Sequence, residues 1–309
     1  MIDRLTYPMV PAARWARRIG LFSAVLLILA IPLHRFGALT TPVALNTFAA
    51  ALGGAVLAIL AGLIALAVIW WRGHAGAIAA CVGLFTGLAM LAWPLAYFAM
   101  TSQLPRISDV TTDTETPPQF QALGKRLSGM NPATYAGPGT AQAQLAGYPD
   151  LRTFLIDRPV EEAFELVEET VRKLRWRVVA ADPPVSRPAK PGRLEASEQT
   201  LIIGFWDDVV VRVEGSANRA RVDVRSSSRY GRFDFGQNAG RVRRFLAELQ
   251  TRVDAAGPNG GRRSLRTTRS GATVKKGKAE DPQKAAPAPS RDRAPSGAPR
   301  ERAPKETQR

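Results

Sequence analysis

Residues 47–71 read TFAAALGGAVLAILAGLIALAVIWW, and residues 75–100 read AGAIAACVGLFTGLAMLAWPLAYFAM. Neither run holds a charged side chain, and each exceeds the roughly 20 apolar residues that a helix needs to cross a hydrocarbon core. A buried helix of a soluble protein normally keeps a polar face, and these keep none. Only Arg72, Gly73 and His74 separate the two runs, which predicts a tight antiparallel helical hairpin. Upstream, residues 19–33 are also apolar but only fifteen long, with Pro32 near the end. Counting that run gives three transmembrane helices, about 19–33, 47–71 and 75–100. Trp70, Trp71, Trp93 and Tyr97 fall near the expected ends, where amphipathic rings favour the lipid–water boundary. Gly83 and Gly87 form one GxxxG, a spacing that lets helices approach closely.

Basic residues near the spans set the expected orientation. Arg4, Arg14, Arg17 and Arg18 precede the first span, against Arg35, Arg72 and Arg106 in the later connections. The excess at the N-terminus predicts a cytoplasmic start. Three crossings then carry everything after residue 100 to the far side, the periplasm of a bacterial inner membrane. Basic residues before a short apolar run also describe a signal peptide, although no clear small-residue cleavage site follows.

The formal net charge of +16 is unevenly spread. Residues 1–100 carry a net +5, residues 101–257 only +2, and residues 258–309 a net +9. The last segment has no aromatic residue and is rich in Pro, Ala, Ser, Gly, Lys and Arg, so it cannot bury enough apolar surface to offset the entropy of ordering. It is expected to be a disordered basic tail, either merely solvated or attracted to an anionic surface. No nucleic-acid motif accompanies it, which argues against nucleic acid as partner. Cys81 is the only cysteine and lies in the third span, and His34 and His74 are the only histidines. The soluble part therefore has no disulfide, thiolate nucleophile, imidazole base or Cys/His zinc site. No cofactor is implied, and the balance of residues leans away from an enzyme.

Residues 101–257 read as one α+β domain, an antiparallel sheet with two main helices. Residues 109–120 (DVTTDTETPPQF) read as irregular and 124–148 as a loop. A strand is expected at 153–156 and an amphipathic helix at 159–174, with Asp157 as its cap. Further strands are expected at 176–180, within 194–205, at 208–214 and at 219–226. A last helix spans about 236–254, with Ala239, Val242, Phe245, Leu246, Leu249 and Val253 inward.

The runs GFWDDVVVRVEG (204–215) and RVDVRSSSRYGRFDFGQNAGRVRRFL (221–246), with DVTTDTETPPQF and YPDL upstream, resemble domain-of-unknown-function family 1499. The resemblance covers about residues 108–249. It implies the same module, often preceded by membrane segments, and implies no activity.

Read residue by residue, alternation puts Val209, Val211 and Val213 on one sheet face with Ala220, Val222 and Val224. The expected register sets Asp208 opposite Arg225 and Arg212 opposite Arg221, with Asp223 on the same polar face. Ion pairing across that face is the plain reading. Asp207, Asp208 and Asp223 are the weak catalytic candidates, but the many arginines beside them argue against a bound metal. The loop SSSRYGRFDFGQN (226–238) leads into a helix start, where backbone N–H groups favour anions. Arg225, Arg229, Arg232 and Arg241 are thus the candidate anion-binding residues, suited to phosphate or carboxylate. Asp234 and Gln237 also fit a capping box there. Asp109 and Asp113 lie among threonines that favour turns. The resulting expectation is a membrane-anchored binding or assembly module of the cell envelope. Its partners would be the bilayer, an anionic lipid head group, an envelope polymer or a protein. The alternative is a membrane-associated hydrolase or transferase using the aspartates, with or without a divalent metal.

Overall fold

The computed structural model describes residues 8–186 and 189–257, so the expected basic tail at 258–309 lies outside the described residues. Three helices long and apolar enough to cross a membrane come first: α1 (Pro11–Arg35), α2 (Thr41–Arg72) and α3 (Ala77–Thr101). Helix α1 is longer than the fifteen-residue apolar run. It continues back through Arg14, Arg17 and Arg18 because Ala13, Ala16, Gly20 and Ser23 form its buried stripe while the arginines stay exposed. An uncharged window ends where a helix with one inward face does not.

The bundle is packed through small residues and wears its large ones outside. The buried positions of α2 are all Ala or Gly, whereas Leu57, Leu60, Leu63 and Ile64 are exposed. Lipid tails are as apolar as leucine, so close backbone approach, rather than burial of large side chains, holds such helices together. Both glycines of the GxxxG serve this. A Cβ on Gly83 would strike the backbone of Ala16 in α1, and one on Gly87 would sit 2.6 Å from the Ala55 carbonyl of α2. The start of α1 meets the α2–α3 connection, with Val10 N donating to Ala75 O at 3.1 Å. The N-terminal end and the soluble domain therefore lie at opposite ends of the bundle.

The domain follows with β1 (Asp109–Thr111), α4 (Pro138–Gly147), β2 (Phe154–Ile156), α5 (Val160–Lys173) and β3 (Arg177–Asp182). A small hairpin of β4 (Val185–Ser186) and β5 (Ala189–Lys190) leads to β6 (Gly192–Gln199), β7 (Trp206–Gly215), β8 (Ala220–Ser228) and α6 (Gln237–Ala256). The antiparallel sheet runs β1-β8-β7-β6-β3, with β2 sharing the outer edge of β8. Helices α5 and α6 cover one face, burying Phe164, Val167 and Val171 with Val242, Phe245 and Leu249 against Val209, Val211, Val222 and Val224. Trp176 stacks on Phe245 at 5.7 Å.

Several expectations need correction. The chain at 109–111 is a strand, and Gln144 explains why so polar a segment pairs. Its side-chain amide accepts from Thr111 N at 2.9 Å and donates to Thr111 O at 2.6 Å, acting as a ladder partner on the outer edge. Gln144 belongs to α4, a helix inside the expected loop at 124–148. It is the only buried residue of α4, so no apolar period announced that helix. The hairpin register also differs: Asp208 lies opposite Ser227, and Arg212 opposite Asp223. The turn holds four residues, 216–219, closed by Ser216 N to Arg219 O at 2.9 Å, and the expected register needs a tighter one. The slip is two residues, so face assignments survive it. Asp157 does not cap α5; it is exposed and pairs with Arg219 at 3.3 Å, while Ser216 O accepts from Val160 N.

Overpacking a well-fitted site typically costs about 1–3 kcal/mol. Gly87→Leu is thus expected to lower the melting temperature of the detergent-solubilised protein by several degrees. Gly53→Leu, where a side chain meets open space, leaves it nearly unchanged. Equal thermal shifts for the two variants would contradict the packing assigned to Gly87.

Candidate functional site

The second face of the sheet is covered by the chain between β1 and α4, and that covering is held by charge. Glu195 on β6 is fully buried and accepts the backbone N–H groups of Gln121, Ala122 and Leu123 at 2.7–3.2 Å. Arg225 on β8 is equally buried. It donates to both oxygens of Asp109 (2.9 and 2.6 Å) and to the carbonyls of Pro118 and Ala133. The rings of Phe120 and Tyr135 lie 5.0 and 5.5 Å from its guanidinium carbon. Burial pushes the Asp109 carboxyl up, and the Arg225 pairing offsets only part of that.

Toward the β7–β8 turn, Asp113 and Asp223 share Arg212 and Arg221 at 2.6–3.0 Å. Burial alone would raise the Asp113 carboxyl. Hydrogen bonds from Thr116 and Arg212, with the charge of Arg221, outweigh it and hold the group at about 2. On the helical face, Arg241 of α6 donates to Asp207 at 2.7 Å and to Glu198 at 2.5 Å. Asn238 ties Ser226 and Ser228 beside it. Asp234 accepts from the backbone of Gly236 and Asn238, Gln237 N donates to the Asp234 backbone carbonyl, and the Gln237 side chain bonds Tyr97 of α3, so the expected capping box does not form and Gly236 is the N-cap.

The four candidate arginines are therefore not gathered at one site. Arg225 and Arg241 are buried on opposite sheet faces, each paired with carboxylates. Arg232 is exposed and has no carboxylate partner among the described residues. Arg229 alone borders a cavity. Asp207, Asp208 and Asp223 are each engaged by arginine. Among the described residues no group of three or more His, Cys, Asp or Glu is arranged to hold a metal.

The cavity, about 270 Å³, is lined by Leu123, Arg177, Val179, Ser197, Trp206 and Arg229. Behind it Asp208, nearly fully buried, accepts from Arg126 at 2.5 Å, from Arg229 at 2.7 Å and from Ser197 at 2.7 Å. One carboxylate thus serves two guanidinium groups. Nε and Nη2 of Arg126 are buried without a hydrogen-bond partner. Burial depresses the Arg126 guanidinium; Asp208 opposes this, and the charges of Arg229 and Arg225 add to it. Arg177 has no carboxylate partner among the described residues. Sequence reading found Arg229 but missed Arg126 and Arg177, which lie far from it in the chain. Only the pairing of β3 with β6 and the path of the covering segment bring them together.

The cavity is close to the membrane helices. Gln199, two residues beyond Ser197 on β6, donates to Arg35 O at the end of α1 (3.0 Å). Arg35 in turn donates to Thr200 O at 2.7 Å, and His34 Nδ1 to Ile203 O at 2.8 Å. A second contact joins α3 to the β8–α6 loop, where the rings of Tyr97 and Phe235 lie 5.3 Å apart.

These features define a membrane-associated α+β domain whose polar sheet face is closed by arginine–carboxylate pairs. Residues 109–249 match the family model described as a protein of unknown function, DUF1499. This is the family that the strand motifs resemble, and the match takes in the six-stranded sheet and about the first two thirds of α6. No curated protein matches the chain.

The Asp113 carboxyl lies below its ordinary 3.8 in the folded state. Its contribution to stability is present above that value and is lost as pH falls through about 2. Asp113→Asn is expected to lower the denaturation midpoint at neutral pH. The gap to wild type should narrow below about pH 3 in urea titrations at several pH values. A gap independent of pH would show that this carboxylate charge contributes nothing.

Proposed function

We propose that this chain is a non-enzymatic binding module of the bacterial cell envelope, held in the inner membrane, whose domain binds an anionic group in the cavity between Arg177 and Arg229. The carrying observation is the shared carboxylate: Arg126 and Arg229 both rest on Asp208, and Arg177 adds a third guanidinium with no acid of its own. A phosphoryl or carboxylate group there would meet fork-shaped donors and relieve the local excess of positive charge. Nearness to the end of α1 favours a lipid head group or an anionic envelope polymer over a diffusing solute. A hydrolase built on Asp207, Asp208 and Asp223 is less well supported, because arginines already occupy those carboxylates.

The test on the full chain is native mass spectrometry with phosphatidylglycerol and phosphatidylcholine. Loss of one charge-assisted, partly exposed contact costs about 1 kcal/mol, so Arg177→Glu should retain about fivefold less phosphatidylglycerol. Arg177→Lys should keep most of it. Equal retention of both lipids by wild type, or no effect of Arg177→Glu, would refute the reading.

The proposed orientation is a cytoplasmic N-terminus and a periplasmic domain. It is supported by Arg14, Arg17, Arg18 and Arg72, which gather at the bundle end opposite the domain. A reporter active only outside the cytoplasm, fused after Gly257, is expected to give signal, and its cytoplasm-only counterpart none. The reverse pattern would overturn the orientation.

A further inference from the structure

The β6–β7 loop, residues 200–205, carries two large apolar side chains that touch little of the protein: Leu201 is 84% exposed and Ile202 60%. Their neighbours are firmly held. Thr200 N donates to Phe205 O at 2.8 Å, and Phe205 N returns to Thr200 Oγ1 at 2.8 Å, which closes the base of the loop. Arg35 and His34, in the last turn of α1, hold the carbonyls of Thr200 and Ile203 on either side of the apolar pair. The His34 ring packs 5.1 Å from that of Phe205. The loop is thus fixed beside the end of a helix long and apolar enough to cross a membrane. Phe36, next in the chain, is likewise 84% exposed.

We propose that this loop is a membrane-surface anchor, in which Leu201 and Ile202 enter the boundary between head groups and acyl chains of the bilayer that α1 spans. The apolar tip continues the lipid-facing surface of the helices, and the helix end sets its depth. Apolar side chains at such a boundary gain by leaving water, while Arg35 beside them can reach the head groups. The inference concerns a different element from the arginine cavity and stands even if that cavity binds nothing. Where both hold, the anchor keeps the cavity at head-group level.

The test uses the full chain with Cys81→Ala, carrying Leu201→Cys or, as control, Leu155→Cys. Leu155 is 53% exposed and pairs opposite Arg221, toward the end of β8 away from the bundle. Each is labelled with an environment-sensitive fluorophore in nanodiscs of phosphatidylcholine and phosphatidylglycerol. The label at 201 is expected to emit to the blue of that at 155, and to be quenched several-fold more by shallow doxyl-labelled lipid and less by iodide. Equal emission and iodide quenching at the two positions would overturn the proposal. Protection from iodide without doxyl quenching would also overturn it, because the cover would then be protein.

Discussion

Arg225 sits with no exposed surface between the sheet and the segment that covers it, and its guanidinium spans Asp109, Pro118 and Ala133. A charge in that position must be neutralised where it stands, since an unpaired buried ion costs several kcal/mol. One side chain thereby fixes the strand β1, the proline turn and the approach to α4 in a single geometry. Glu195 does the same with the opposite sign, drawing three consecutive N–H groups onto β6. A segment poor in apolar residues cannot cover a sheet by hydrophobic burial alone. Here buried ions and backbone groups supply the missing specificity, and they leave few other geometries in which all of them are satisfied.

The same domain is tied to the helices at two separated points, the end of α1 by hydrogen bonds and the end of α3 by aromatic contact and Gln237. Two attachments restrict rotation in a way that one linker does not. The connection from Thr101 to Asp109 is short, and Leu104 packs against the domain core. The domain is therefore oriented by its contacts with the helices, and the end of the sheet bearing Ser197 and Trp206 is the end nearest them.

Much of this was legible in the residues, and the failures have physical causes. Membrane helices announce themselves through uncharged runs, but the start of α1 did not, because its arginines point outward from a helix whose inner stripe is only alanine, glycine and serine. Alternation in β7 and β8 gave the correct faces, since a strand has a period of two. It could not give the partners, because those depend on how many residues the turn takes. Helix α4 lacks an apolar stripe, and β1 is polar; each makes sense only through Gln144, which links them. The candidate arginines were selected for being close in sequence. Strand alternation and the path of α6 then sent Arg225 and Arg241 to opposite faces, while Arg177 came to line the cavity from β3 and Arg126 to sit behind it on Asp208.

The arrangement around Asp208 differs from the other ion pairs in its stoichiometry. Asp109 has one guanidinium, Arg241 has two carboxylates, and the Asp113–Asp223 pair balances Arg212 with Arg221. Glu198 also meets two arginines, Arg241 and Arg244, but Asp207 shares Arg241 with it; Asp208 is a single carboxylate between Arg126 and Arg229, with a third arginine lining the cavity it backs. An excess guanidinium on an open surface is simply hydrated, and its pairing energy is small. Arg126 lacks that outlet: two of its nitrogens are buried without partners, and its charge is already disfavoured by burial and by its neighbours. An anion entering the cavity would act on a charge held at low effective dielectric, where Coulomb attraction is several times stronger than in water. It would also find Arg229 already held by Asp208 and Ser197, so little entropy of that side chain would be lost on binding. That combination of unbalanced charge and partial burial is why the proposed function rests on Asp208 and its arginines.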